Sequence, residues 1–278
     1  MRRIALLSTV VLLAACGDSS SSPGTSYIRV AHLSIGAPAV DFCWAPQGST
    51  TFTGPAMRAA LDTTGLTYAQ VSRYFTLDAG AYTVRLVPFA AVTCAIAVPG
   101  VADVAVTAAS GGYYTVAAAG IIGQSAPANP QLKSFTDVHT PDPAKVIIRF
   151  VNALPGSPAL DLGTGAPTAF APIFSNLAYL ALATPTAPVD ALGYASVAPA
   201  GFTGTVILTT CLHGVPASAL TCPTSVTLPP AISGSITGGS VASAFLIPTA
   251  TAGELLLCGD STGTVPGTNL SACIIQAP

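Results

Sequence analysis

The feature that most constrains the fold of this 278-residue chain is a motif that occurs twice, 120 residues apart. Residues 28–42 align with residues 148–162, and six of the fifteen paired positions are identical. A repeat of this kind indicates two related units rather than one continuous core. We therefore predict two copies of one domain. The identical pairs are Ile28 and Ile148, Arg29 and Arg149, Gly36 and Gly156, Pro38 and Pro158, Ala39 and Ala159, and Asp41 and Asp161.

The first copy has the apolar periodicity of β-strands. Apolar residues alternate with polar or small ones in the runs 28–30, 40–44, 82–86, 104–106 and 114–118. A period of two is typical of a strand with one buried face, and Gly or Pro interrupts the chain between the runs. We therefore expect one face of each strand to be buried. Several short strands predict an all-β fold of two tandem antiparallel β-sandwiches.

The repeat and the Pro- and Gly-rich segments divide the chain into six predicted regions. They are a signal peptide at 1–15, a lipidated cysteine and flexible Ser/Gly tether at 16–26, a first β-sandwich at 27–124, a Pro-rich connector at 125–144, a second and divergent β-sandwich at 145–251, and a Cys-containing C-terminal tail at 252–278.

The N-terminus has the form of an export signal. A basic start precedes a largely apolar segment at 4–15, which is too short to span a membrane, and small residues follow directly before Cys16. This ending resembles the lipobox of bacterial lipoproteins, in which the signal is cleaved before the cysteine and the thiol carries lipid. The resemblance implies a lipid anchor at Cys16, and Gly17 after it favours the outer membrane or cell surface. The alternative is an ordinary signal peptide with a coincidental cysteine.

The remaining six cysteines are an even number, as expected for disulfides in an exported chain. Six cysteines allow 15 pairings, and the sequence does not choose among them, although locality favours nearest neighbours. A metal site of Cys211, His213 and Cys222 is the alternative, but it lacks a fourth ligand. The nearest-neighbour pairs are Cys43 with Cys94, Cys211 with Cys222, and Cys258 with Cys273.

Charged residues make up only 7% of the chain, against about 25% in a typical soluble domain. The few Lys and Arg residues form no cluster that could contact phosphates, which argues against a nucleic-acid partner. No apolar stretch is long enough for a membrane span, which argues against an integral membrane protein.

Arg149 is the last Lys or Arg residue of the chain. Because so few charges protect the sheet edges from pairing, we expect self-association or glycan coating.

No motif predicts catalysis or a cofactor. No G-x-S-x-G elbow accompanies the histidines, neither lysine follows a Gly-rich turn, and Glu254 is the only glutamate. Glycoside hydrolysis needs two neighbouring carboxyl groups, one of them with a raised pKa. We therefore predict a non-catalytic protein without cofactor or metal, and a hydrolase is the minor alternative.

Two pairs of polar residues share positions in the repeat. Asp41 and Asp161 could bind a cation, but a residue kept while its surroundings diverge is more typical of a turn cap that accepts backbone N–H bonds. His32 and Asn152 also correspond. An amide can replace an imidazole in hydrogen bonding but not in acid–base chemistry, so this pair predicts a polar structural contact.

Aromatic residues are concentrated in the first copy and offer one binding hypothesis. Trp44, Tyr68 and Tyr74 are candidates for stacking on a sugar ring, although most aromatics alternate as core residues do. We therefore expect a spacer, adhesion or envelope-interaction module whose partner is an extracellular glycan or protein. A carbohydrate- or polymer-binding module is the alternative.

Three motifs of the first copy resemble the bacterial domain-of-unknown-function family 4397. They are residues 29–41, residues 66–74 with 79–84, and residues 111–116. The resemblance implies an immunoglobulin-like or transthyretin-like sandwich, often in tandem on exported or surface-attached proteins. The family has no established activity, so the resemblance implies no catalytic residues. In the second copy only the opening motif is similar.

Overall fold

The protein is mostly β, and four sheets form two halves, consistent with the predicted pair of β-sandwiches. The computed structural model describes residues 24–138, 140–202, 205–215, 222, 224–230, 236–249, 253–260 and 271–276.

The first half contains eight strands and one short helix among its described residues. A larger sheet has the order β3-β1-β7-β8, with β4 also pairing with β1, and a smaller sheet has the order β2-β5-β6. Strands β1 and β7 are parallel, and the other pairs are antiparallel. The elements are β1 (Thr25–Leu33), β2 (Val40–Pro46), α1 (Ala56–Ala59), β3 (Gln70–Val71), β4 (Phe75–Asp78), β5 (Gly80–Pro88), β6 (Val104–Ala108), β7 (Tyr113–Ala119) and β8 (Gln131–Asp137).

In its described residues, the second half repeats the central strand pairing of the first half and has one additional outer strand in each sheet, β11 and β17. Its larger sheet has the order β12-β9-β15-β16-β17, with β9 and β15 parallel, and its smaller sheet has the order β11-β10-β13-β14. Strands β9, β15 and β16 therefore correspond to β1, β7 and β8. The strands are β9 (Val146–Asn152), β10 (Leu160–Thr164), β11 (Ala171–Leu177), β12 (Tyr194–Val197), β13 (Val206–Leu212), β14 (Thr224–Leu228), β15 (Val241–Pro248), β16 (Gly253–Gly259) and β17 (Cys273–Gln276).

Two predicted boundaries differ from this architecture. The segment predicted as a connector, 125–144, contains β8, which pairs with the whole of β7. The segment predicted as a tail, 252–278, contains β16 and β17, which extend the second sheet beyond β15. The sequence separates both segments from the sandwiches only by their composition. In the structure, their backbone N–H and C=O groups complete the hydrogen bonding of the central strands.

The central strands are buried on both faces, which corrects the expectation of a single buried face. In β1, Ile28 and Val30 lie in the core of the first half, while Ala31 and Leu33 lie in a second apolar cluster. That cluster joins the halves, because the larger sheets of the two halves contribute to it together. Its alanines allow close approach of the backbones. The inter-half cluster consists of Ala31, Leu33, Ala69, Val71, Ala117, Ala119, Phe135, Val151, Ala153, Leu180, Phe245, Ile247, Leu256 and Cys258.

The identical glycines of the repeat mark equivalent tight turns. Gly36 and Gly156 have φ angles of 76° and 73°. These values lie in the left-handed region, where glycine avoids the clash of a Cβ atom with the backbone. The requirement for this conformation explains why both copies have glycine after the first strand.

The structure pairs the six described cysteines as nearest neighbours: Cys43 with Cys94, Cys211 with Cys222, and Cys258 with Cys273. Disulfides of this number are typical of an exported protein. Within the described part of the chain, none of the helices has both the length and the apolar character needed to cross a membrane.

Candidate functional site

A buried charged network lies where the two larger sheets meet. Its centres are the repeat-related residues Arg29 on β1 and Arg149 on β9, whose side chains are fully buried. Each arginine lies beside a hydroxyl residue of the neighbouring parallel strand. Arg29 is in register with Thr115 and donates to its Oγ1 at 2.9 Å, and Arg149 is in register with Ser243 and donates to its Oγ at 2.8 Å.

The ion pairs of this network cross between the halves. Arg149 Nη2 donates to Asp137 Oδ1 at 2.6 Å, and Asp137 ends β8 of the first half. Arg29 Nη2 makes a short ion pair with Asp260, which directly follows β16 of the second half. Each arginine thus pairs with an aspartate of the other half, so the network links the halves as well as filling space between them. We call these residues, with their tyrosine and hydroxyl partners, the inter-half network.

Two tyrosines complete the inter-half network in an equivalent way. Tyr74 donates to Asp137 Oδ2 and Tyr194 donates to Asp260 Oδ2, both at 2.8 Å. The guanidinium of Arg29 stacks on Tyr74 and that of Arg149 on Tyr194, each with its carbon 4.7 Å from the ring centroid. The same four residue roles therefore occur in both halves, which gives the network an approximate twofold pattern.

Electrostatic interactions favour the charged forms of Asp137 and Arg29 in this network. Burial alone would raise the pKa of Asp137, but Arg149 and Arg29, with hydrogen bonds from Thr115 and Tyr74, hold it below its usual value of 3.8. Burial would lower the pKa of Arg29, but Asp260 and other neighbours raise it well above its usual range. The buried arginines and aspartates therefore pair with one another, an arrangement suited to holding the halves together.

The C-terminal segment adds a second link between the halves. The backbone N–H of Ser271 donates to the carbonyl of Val71 at 2.8 Å, and its hydroxyl donates to the carbonyl of Ser72 at 2.6 Å. Cys273 is then bound to Cys258 of β16. Ser271 therefore contacts the β3 edge of the first half, and the residues after it, 273–276, belong to the sheet of the second half.

The repeat-related aspartates, Asp41 and Asp161, lie outside this network and accept hydrogen bonds from backbone N–H groups. Asp41 accepts backbone N–H bonds from Met57 at 2.7 Å and from Arg58 at 2.9 Å, at the start of α1. Asp161 accepts from the backbone N–H of Asn176 at 2.9 Å and contacts His213 Nδ1 at 2.7 Å. Both carboxylates therefore receive backbone N–H groups from another element, α1 for Asp41 and β11 for Asp161.

His32 and Asn152 form equivalent local hydrogen bonds at the ends of β1 and β9. Each accepts the backbone N–H of the residue two positions later, Ser34 at 3.4 Å and Leu154 at 3.1 Å. This arrangement assigns the proton of His32 to Nε2, which donates to the carbonyl of Pro38 at 3.0 Å. Burial lowers the pKa of His32, although the bond to Pro38 opposes this effect. His32 is therefore a neutral hydrogen-bonding residue.

The three candidate stacking residues are not gathered on one surface. Trp44 is half-buried on β2 of the smaller sheet and packs against Phe42, with ring centroids 6.1 Å apart. Tyr68 donates to the carbonyl of Pro248 in the second half, and Tyr74 belongs to the inter-half network. Two of the three side chains thus bond within the contact between the halves.

The alternative metal site at Cys211, His213 and Cys222 is contradicted, because both thiols form one disulfide. In the parts of the chain that the structure describes, no group of three or more His, Cys, Asp or Glu residues could hold a metal ion. The predicted lipidation site, Cys16, lies outside the described residues.

Residues 26–163 match the family model of a domain of unknown function, DUF4397. The chain carries a DUF4397 domain. This match confirms the resemblance seen in the first half and extends through β9 into β10 of the second half, so it includes both arginines of the network. A search of curated proteins finds no match to the chain.

Sequence reasoning missed six members of the inter-half network, which are Asp137, Asp260, Thr115, Ser243, Tyr74 as a partner of Arg29, and Tyr194. A signal for one pair was present, because Tyr74 and Tyr194 are separated by the same 120 residues as Arg29 and Arg149. The two aspartates lie in segments outside the predicted sandwiches, so the repeat alignment did not pair them.

Proposed function

We propose that the protein is an exported envelope lipoprotein, anchored through Cys16, whose two halves are copies of one domain that form a non-catalytic spacer and interaction module. The observation that carries this proposal is the inter-half network. It uses the buried arginines and aspartates to fasten two sandwiches into one unit. A fixed pair of sandwiches on a tether is suited to holding a surface at a distance from a membrane.

The correspondence between the two sets of residues in the inter-half network, one set from each half, supports duplication of one domain. The residues Arg, Tyr, a hydroxyl residue and Asp have the same register relations in both halves, since Tyr74 precedes the residue paired with Ile28 and Tyr194 pairs with Arg149. Independent origin of four matching roles on matching strands is a less economical explanation than copying of one domain.

The position of the first described residue indicates which end would face the anchor. Gly24 accepts a hydrogen bond from Ala79, next to the start of β5. The nine residues of β5 extend roughly 30 Å away from this end. Exposed apolar side chains lie in loops that connect at the opposite end, where Val40 pairs with Pro88. Those side chains are Leu61, Val92 and Ile96, and we propose that they contact a protein or glycan partner.

The anchor is tested by fractionating cells that express the full chain or its Cys16→Ser variant. We expect the parent chain in the membrane fraction and the variant in the soluble exported fraction, with Ser19→Ala as the matched control that stays in the membrane. Membrane retention of Cys16→Ser after a high-salt wash would refute the anchor.

A carbohydrate- or polymer-binding module is the second candidate, supported by the partial exposure of Trp44. The chain has a single tryptophan, so its fluorescence reports on this position. A saturable change in Trp44 fluorescence with soluble glycans, which Trp44→Phe abolishes together with glycan binding, is expected for this function. Unchanged fluorescence across a glycan panel would remove its main support.

A further inference from the structure

The last strand of the second half, β17, has a free edge among the described strands. Residues Leu255–Cys258 of β16 pair with it in antiparallel register on one side. The sheet order places β17 at the end of its sheet, and no other described strand pairs with it. The unpaired N–H and C=O groups of such an edge readily form hydrogen bonds with another strand.

The side chains and composition of this edge favour pairing. Ile274 and Ile275 are 40% and 50% exposed, and they point to opposite faces of the sheet. No charged residue occurs between positions 261 and 278, and β17 itself contains no proline. Sheet edges are normally protected by lysine, proline or an inward-pointing charge. This edge has none of these protections.

An apolar groove lies on one face of the sheet beside this edge, because residues of β15, β16 and β17 line it. It has a volume of about 570 Å³, and its lining includes Ile274 together with Pro141, Pro143 and Ile236. Ile274 borders this groove, so a side chain of the paired strand that points to the same face would pack beside Ile274 and add apolar burial to the backbone hydrogen bonds.

We propose that the β17 edge binds the β17 edge of a second copy of this chain, in antiparallel orientation across a twofold axis. Two identical edges satisfy each other's hydrogen bonds. Their neutrality avoids repulsion between like copies, whereas a charged peptide would find no complementary group on β17. The twofold axis is perpendicular to the sheet and therefore opposes residues of the same face. Ile274 or Ile275 then contacts its own counterpart, and the two sheets become continuous.

This dimer does not depend on the lipid anchor proposed above, so the test uses a variant that lacks the anchor. Sedimentation equilibrium is measured on the full chain carrying Cys16→Ser. We expect a monomer–dimer equilibrium that Ile275→Lys weakens at least tenfold, because the twofold axis brings two introduced ammonium groups close together. The matched control is Thr107→Lys, which places the same charge on an exposed residue of β6, the strand at the end of the smaller sheet of the first half. It should leave dimerisation unchanged.

Three results would each overturn the proposal: a monomer at every concentration up to roughly 1 mM, dimerisation insensitive to Ile275→Lys, or equal weakening by Thr107→Lys. Thermal unfolding of each variant checks that it folds. If Ile275→Lys does not fold, hydrogen exchange of the parent decides. Amides of 273–276 should exchange more slowly as protein concentration rises, and concentration-independent exchange refutes the dimer.

Discussion

Replacement of Asp260 by alanine provides a sharp test of the inter-half network. Asp260 is the ion-pair partner of the fully buried Arg29 and the acceptor for Tyr194 and Ser243. Its removal leaves a buried guanidinium without its closest carboxylate and two hydroxyl groups without their acceptor. The cost arises mainly from these stranded groups, since the alanine itself fits the space.

The expected loss is large for one side chain. Breaking a buried ion pair by removing one partner costs about 3–5 kcal/mol. Arg29 keeps hydrogen bonds to Thr115 and to the carbonyl of Gly259, and its Nε stays 3.8 Å from Asp137. These contacts place the expected value near the lower end of that range. For a protein of this size, about 3 kcal/mol corresponds to a decrease in Tm of roughly 6–12 °C.

The assay is chemical and thermal unfolding followed by circular dichroism, with Asp103→Ala as the matched control. Asp103 pairs with Arg85 at 2.8 Å, but the two side chains are 27% and 25% exposed. Exposed ion pairs contribute only about 0–1 kcal/mol, so the control should change the free energy of unfolding little. The reasoning is refuted if Asp260→Ala costs no more than Asp103→Ala.

Three further outcomes are expected. Because the folded pKa of Asp137 lies below its usual value, its contribution is complete above about pH 5 and is lost as the pH falls below about 4; Asp137→Asn should flatten this acid limb in Tm–pH curves, and an unchanged limb would contradict the assignment. Asp41→Ala should cost about 1 kcal/mol or more, because α1 loses its cap; urea midpoints measure this loss, and an unchanged midpoint counts against capping. Replacing both Cys258 and Cys273 by serine should lower the free energy of unfolding by about 3 kcal/mol, because the two cysteines are 15 residues apart. If the parent protein has the same free energy of unfolding with and without reductant, this value is wrong.

Local patterns were sufficient for much of the fold. The alternation in residues 40–44 and 82–86 corresponds to β2 and β5. The first residues of the two aligned motifs lie in β1 and β9, as expected. Period-two alternation is a local signal, because successive side chains of a strand point to opposite faces whatever the strand pairs with. The resemblance to the DUF4397 family has the same origin, since its motifs are continuous segments.

Segments without a regular pattern were not predictable in this way. Strand β8 lies among prolines and carries Lys133 and Ser134, so its composition resembles a connector. Strand β17 has only four residues. Both strands exist because the edges of β7 and β16 need hydrogen-bond partners, and that need arises only when the sheets have assembled.

The sequence by itself predicted two β units, because the 120-residue repeat and the spacing of apolar residues are both properties of the order of residues along the chain. Only the tertiary structure decided what Arg29 and Arg149 do. Their partners Asp260 and Asp137 are 231 and 12 residues away, and no sequence pattern gives a reason to pair them across the halves. Burial decides the pairing, because a guanidinium enclosed between two sheets is stable only beside a carboxylate that the folded chain brings to it.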